Sequence, residues 1–93
     1  MVRMNLSDSF INRAKEVVVN YYNEQRSYTK IANDDVFIVW FCKTLQNWKA
    51  LVSTTISDGM YYEVTYNGDE HETYLDVYKK WENVCIPDGN DFE

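Results

Sequence analysis

The spacing of apolar residues changes once along this chain, and that change limits the folds open to it. From Leu6 to Glu24, the positions Leu6, Phe10, Ile11, Ala14, Val17, Val18, Tyr21 and Tyr22 recur at three- and four-residue steps, as on one face of a helix. Asn5 or Ser7 can cap that helix. Its polar face is not rich in cations, so the apolar stripe reads as core and not as a membrane-surface device. After a polar connection at 26–33, the run Val36-Phe37-Ile38-Val39-Trp40-Phe41-Cys42 is continuous, β-branched and aromatic. It is too short and too rich in strand formers for a helix, and it reads as a central strand covered on both faces.

Beyond this run the period is two. Gln46-Asn47 reads as a turn, and Trp48 to Ile56 as a second strand that alternates Trp48, Ala50 and Val52 with Lys49 and Ser53. Ser57-Asp58-Gly59 is a turn in which Gly59 is free to take positive φ. Met60 to Tyr66 is a third strand, with Met60, Tyr62, Val64 and Tyr66 on one face and Tyr61, Glu63 and Thr65 on the other.

Two readings compete for the next segment. Asn67-Gly68 is a strong hairpin signal, so residues 69–75 can return as a fourth strand that sets Glu63 opposite Glu72 and Tyr61 opposite Tyr74. Like charges opposed in this way are unfavourable. In the other reading Asp69 caps a helix, Glu72 completes a capping-box-like pair, and Tyr74, Leu75, Tyr78 and Trp81 form the buried stripe. The hairpin is adopted, with a short C-terminal helix from about Asp76 to Val84, stopped before Pro87. The expected fold is α+β: an N-terminal helix packed on a three- to four-stranded antiparallel meander, with a short C-terminal helix. Residues 1–93 form a single domain, and 88–93 read as a frayed acidic tail.

Charge is unevenly placed. Residues 1–49 carry a net +2 and residues 50–93 a net −8, within a total of −6. Between Lys49 and Lys79 there is no lysine or arginine, yet the window holds six carboxylates and five of the eight tyrosines. Such a half repels phosphate, so duplex nucleic acid is disfavoured as a partner. No stretch approaches the ~18 apolar residues of a membrane span, and a cytoplasmic location is expected. Cys42 and Cys85 are too few for a zinc or redox set and read as reduced, small buried hydrophobes.

Signals for chemistry are missing. The single imidazole, His71, has no nucleophile spaced to suit it, the three glycines are scattered, and no EF-hand spacing supports a metal at carboxylates such as Glu63 and Glu72. No enzyme activity, cofactor or metal is expected. The stretch from Trp40 to Thr55, with Ser57-Asp58-Gly59-Met60-Tyr61-Tyr62, Tyr66-Asn67-Gly68-Asp69 and Tyr74-Leu75-Asp76-Val77-Tyr78-Lys79-Lys80, resembles a family of short proteins of unknown function encoded by phages and prophages of Gram-positive bacteria. The resemblance implies a small accessory protein made in the cytoplasm of an infected host, and it brings no site residues with it.

Together these features predict an interaction protein. Glu63, Glu70, Glu72 and Asp69, with Tyr61 and Tyr74 on the same polar face, form the expected contact surface for a basic host protein, a defence or nucleic-acid-handling factor, that it would inhibit. The alternative is a binder of a small nucleotide-like ligand, stacked on Trp48 or Tyr62 and met by Lys43, Lys49 or Arg26. Single-stranded nucleic-acid binding and a structural module are further alternatives. An edge strand and unburied aromatics also admit a homodimer.

Overall fold

Phe10, Ala14, Val18 and Tyr22 lie four residues apart on one face of a 20-residue helix, α1 (Leu6–Gln25), and all four are buried. The computed structural model describes residues 6–25 and 29–89. After α1 come a 3-10 turn at Asn33–Asp35 and four strands: β1 (Val36–Thr44), β2 (Asn47–Thr54), β3 (Met60–Asn67) and β4 (Glu72–Lys79). They form one antiparallel sheet in chain order. The expected α+β meander behind an N-terminal helix is the observed architecture, with four strands. Ser7 falls inside α1, and Asn5 lies outside the described residues.

The helix packs on one face of β1, β2 and β3. Ala14 and Ala50 are wholly buried, and their small side chains let backbone approach backbone. Around them pack Val18, Val52 and Val64, and at the end near the helix N-terminus Phe10, Phe41 and Trp48 meet with ring centres 5.4–5.8 Å apart. Each such aromatic pair contributes about 0.5–1.5 kcal/mol beyond its area. Asn23 fastens the return from the helix: its side chain accepts from Ile31 N at 2.8 Å and donates to Ile31 O at 3.0 Å, which seats Ile31 in the core.

Strand β1 corrects the reading of a central strand covered on both faces. It is an edge strand, and its outward residues Phe37, Val39 and Trp40 are 47%, 47% and 42% exposed. A bulge carries the run: Ile38 opposes Val52 and Trp40 opposes Leu51, so Val39 is one extra residue. The inward set, Val36 and Ile38, therefore resumes at Phe41. Cys42 points outward and is exposed, as is Cys85, so neither is the buried hydrophobe expected.

The C-terminal helix is not formed. Residues 72–79 are strand β4, and 80–89 have no regular secondary structure. The reason is the period-two alternation from Thr73 to Tyr78, which sends Leu75 and Val77 to the helix side opposite Val64 and Tyr62. The turn before β4 also differs from the two-residue expectation. Asn67 pairs with Glu72 across a four-residue loop, neither Asn67 nor Gly68 has positive φ, and His71 takes φ 53° instead. The Asn67 side chain accepts from Asp69 N and Glu70 N at 3.1 and 3.3 Å. Gly59 does adopt the expected positive φ, at 73°.

Gly68 serves a close approach. A Cβ built there would lie 2.2 Å from the Gln46 carbonyl oxygen, and Gly68 N donates to the Asn47 side chain at 3.2 Å. The β1–β2 and β3–β4 turns are thus laced together. Gly68→Ala is expected to lower the free energy of unfolding in urea by ~1–3 kcal/mol by forcing backbone from backbone. Leu45, 82% exposed in the β1–β2 turn, holds φ 56°. Leu45→Asn should raise stability by up to ~1 kcal/mol, since Asn tolerates that conformation better.

Candidate interaction surface

Among the described residues nothing covers the face of the sheet away from α1. Backbone pairing fixes its pattern on the acidic side: Tyr61 opposes Tyr78, Glu63 opposes Asp76, and Thr65 opposes Tyr74 across β3 and β4. A row of two carboxylates thus lies between two rows that carry tyrosine. Tyr74, Asp76 and Tyr78 are exposed, while Tyr61 and Glu63 are half-buried. Lys49 of β2 reaches Glu63 at 3.3 Å, and this pair offsets part of the repulsion between Glu63 and Asp76.

Of the residues expected to form the surface, Tyr61, Glu63, Glu72 and Tyr74 lie on β3 and β4, and their spacing puts them on this one face. The partners differ by four positions from the two-residue-loop register. Glu72 lies opposite Asn67, not Glu63, and Tyr61 opposite Tyr78, not Tyr74. Asp69 and Glu70 sit in the loop beyond the strand ends, exposed. Asp76 and Tyr78 were missed because the segment was read as helical; the alternation Glu72, Tyr74, Asp76, Tyr78 was the available signal.

The Tyr74 hydroxyl donates to the Glu72 carboxylate two residues before it on β4. That bond and the charge of Glu72 hold the Tyr74 phenol above its ordinary value of 10.0, with a small contribution from burial. The His71 Nδ1 lies 3.2 Å from the Tyr66 hydroxyl in an exposed contact. Among the described residues no group of three or more His, Cys, Asp or Glu side chains is placed to hold a metal ion. No helix of the described residues is long and apolar enough to cross a membrane.

Of the residues expected around a small ligand, Trp48 and Lys49 line one cleft with Lys43 against the Trp48 ring, and Tyr62 lies apart from them. Tyr62 is buried beneath Tyr21, Lys43 lies over the Trp48 ring at 5.0 Å, Lys49 is engaged by Glu63, and Arg26 lies outside the described residues. A cleft of about 290 Å³ does open at the other side of the sheet, lined by Ser9, Phe10, Arg13, Trp48, Tyr66 and Thr73. Arg13 is paired to Glu16 at 2.8 Å.

With this geometry in place, comparison with known proteins adds one finding. Residues 11–88 match DUF6275, a family of unknown function. The chain belongs to that family. The match runs from the first turns of α1 through all four strands and most of the segment after β4. Neither curated proteins nor solved structures give a match.

The Tyr74–Glu72 contact is directly testable in this family member. On alkaline titration followed by tyrosinate absorbance, Tyr74→Phe is expected to remove a step from the high-pH end of the curve, above 10.0. Glu72→Gln should move that step downward, because the neutral amide no longer opposes the phenolate.

Proposed function

We propose that this protein acts by binding, not by catalysis, and that its partner presents a basic surface to the β3–β4 half of the open face. The reading rests on one arrangement: Glu63 and Asp76 directly opposed, with Tyr61 and Tyr78 in the row on one side and Tyr74 in the row on the other. A guanidinium suits such a slot, since it can bond carboxylates through two N–H groups and stack on a tyrosine ring. Glu72, Asp69 and Glu70 extend the negative field toward the β3–β4 loop and would speed the encounter at low salt.

The finer reading draws on the sequence resemblance: a phage accessory factor, made in the host cytoplasm, that occupies the phosphate-binding surface of a host defence or nucleic-acid-handling protein and inhibits it. Affinity capture from a Gram-positive host lysate, followed by calorimetry on the captured protein, tests this. Asp76→Lys is expected to weaken binding by about tenfold or more, with a loss of salt dependence. Capture that is indifferent to both Asp76→Lys and Glu63→Lys would refute the acidic surface as the contact.

The cleft beside Arg13 favours a second reading, a planar anionic ligand stacked near Trp48. Its volume lies at the lower end of small-molecule sites. A nucleotide panel that raises the melting temperature of the wild type but not of Arg13→Ala would select this reading over the first.

A further inference from the structure

Two apolar surfaces are left uncovered by the described residues. The first is the outward side of β1, where Phe37, Val39 and Trp40 are exposed on an edge strand whose sequence is apolar on both faces. Strands of that composition are ordinarily covered on both faces, and α1 covers only one. The second is the arm after β4. Every residue from Lys80 to Gly89 is exposed, with Trp81 at 96%, Ile86 at 77% and Val84 at 62%.

The arm is anchored at its base and bare beyond it. Lys80 N donates to Gly59 O at 2.7 Å, and the Lys80 ammonium lies 5.8 Å from the centre of the Tyr61 ring. This continues the line of β4 past the start of β3, so that Trp81 touches almost nothing of its own chain. The consequence is visible in the whole molecule. Its accessible surface is 7335 Å², against roughly 5,700 Å² for a compact protein of its mass. Its radius of gyration is 16.1 Å, against about 12 Å for a compact chain of this length. The arm, exposed at every residue from Lys80 to Gly89, contributes to both.

We infer that the arm of one copy lies on the outward side of β1 of a second copy, with Trp81, Val84 and Ile86 against Phe37, Val39 and Trp40, and that the exchange is reciprocal in a two-fold dimer. The chemistry matches on both sides: the three β1 residues carry no charge, and between Trp81 and Pro87 the arm carries only Glu82. Ten extended residues span up to ~33 Å, longer than the run from Phe37 to Trp40 at ~3.3 Å per residue. Reciprocal seating makes the interface self-complementary, as a two-fold axis requires. The acidic rows of β3 and β4 remain free, so the inference stands apart from the proposed basic partner.

Sedimentation equilibrium of the full chain, with Trp81→Ala and Trp40→Ala alongside, reads the association. The wild type is expected to be a dimer, and each variant to raise the dissociation constant by roughly tenfold or more. Because Trp81 touches almost nothing within one chain, Trp81→Ala should leave the circular dichroism spectrum unchanged, and Val84→Asp provides a second arm variant. Cys42 on the outward side of β1 and Cys85 on the arm give a positional readout. After cross-linking a mixture of ¹⁴N- and ¹⁵N-labelled protein with a bismaleimide, mixed-label Cys42–Cys85 peptides are expected. A monomer at all concentrations, or Cys42–Cys85 peptides of matched label only, overturns the exchange.

Discussion

One helix against four strands is the constraint on which the rest of this structure depends. A helix with its side chains is about 10–12 Å across, whereas the outer strands of a four-stranded sheet lie roughly 14 Å apart. Accordingly α1 packs on β1, β2 and β3, and β2 beneath it shows the cleanest alternation, with Trp48, Ala50, Val52 and Thr54 all buried. Farther from the helix the pattern loosens. On β4 even the helix-side residues Leu75 and Val77 keep some exposure, and no described residue packs over the reverse face. The core is correspondingly slight: of the larger side chains, Val18, Val52 and Val64 are fully buried.

The bulge at Val39 follows from the same constraint. Without an extra residue, strict alternation from Val36 and Ile38 would carry Trp40 inward and Phe41 out. The inserted residue brings Phe41 into the Phe10–Trp48 cluster and leaves Trp40 on the open face. One device therefore builds the end of the core and places a tryptophan where no described residue covers it. The two laced turns serve the opposite end of the argument, because Gly68 against Gln46 holds the β1–β2 and β3–β4 hairpins in one sheet.

Much of this was legible in the sequence, and the failures have definite causes. The helix, β2 and β3 follow from hydrophobic period, and β1 from its short β-branched and aromatic run. Asn67-Gly68 correctly marks a reversal, but its glycine accommodates Gln46, and the positive φ of the turn falls on His71. A pairwise hairpin rule cannot anticipate that demand from a neighbouring turn. The register shift of four is even, which is why Tyr61, Glu63, Glu72 and Tyr74 still share a face although their partners changed. The helix assigned to 76–84 failed because Tyr78 and Trp81 fit a helical stripe while Thr73 to Tyr78 also fit a strand. Pairing to the otherwise bare edge of β3 decides between them. Composition could not reveal that β1 is an edge strand, since a run apolar on both faces says that cover is needed and not which chain supplies it.

The open face is chemically divided. Toward β1 it carries Phe37, Val39 and Trp40 without charge; toward β4 it alternates tyrosine with Glu63, Asp76 and Glu72. An apolar surface rewards removal from water wherever it is placed, but carboxylates desolvated without cations lose more than they gain. A second copy of this chain, acidic in its own second half, is therefore a suitable cover for the β1 side and a poor one for the β4 side. Lys49, paired to Glu63, stands between the two halves and is the one cation on the β2 strand. Self-association and attraction of a basic partner thus draw on opposite halves of one sheet face, and the sign of the charge keeps each from competing for the other's ground.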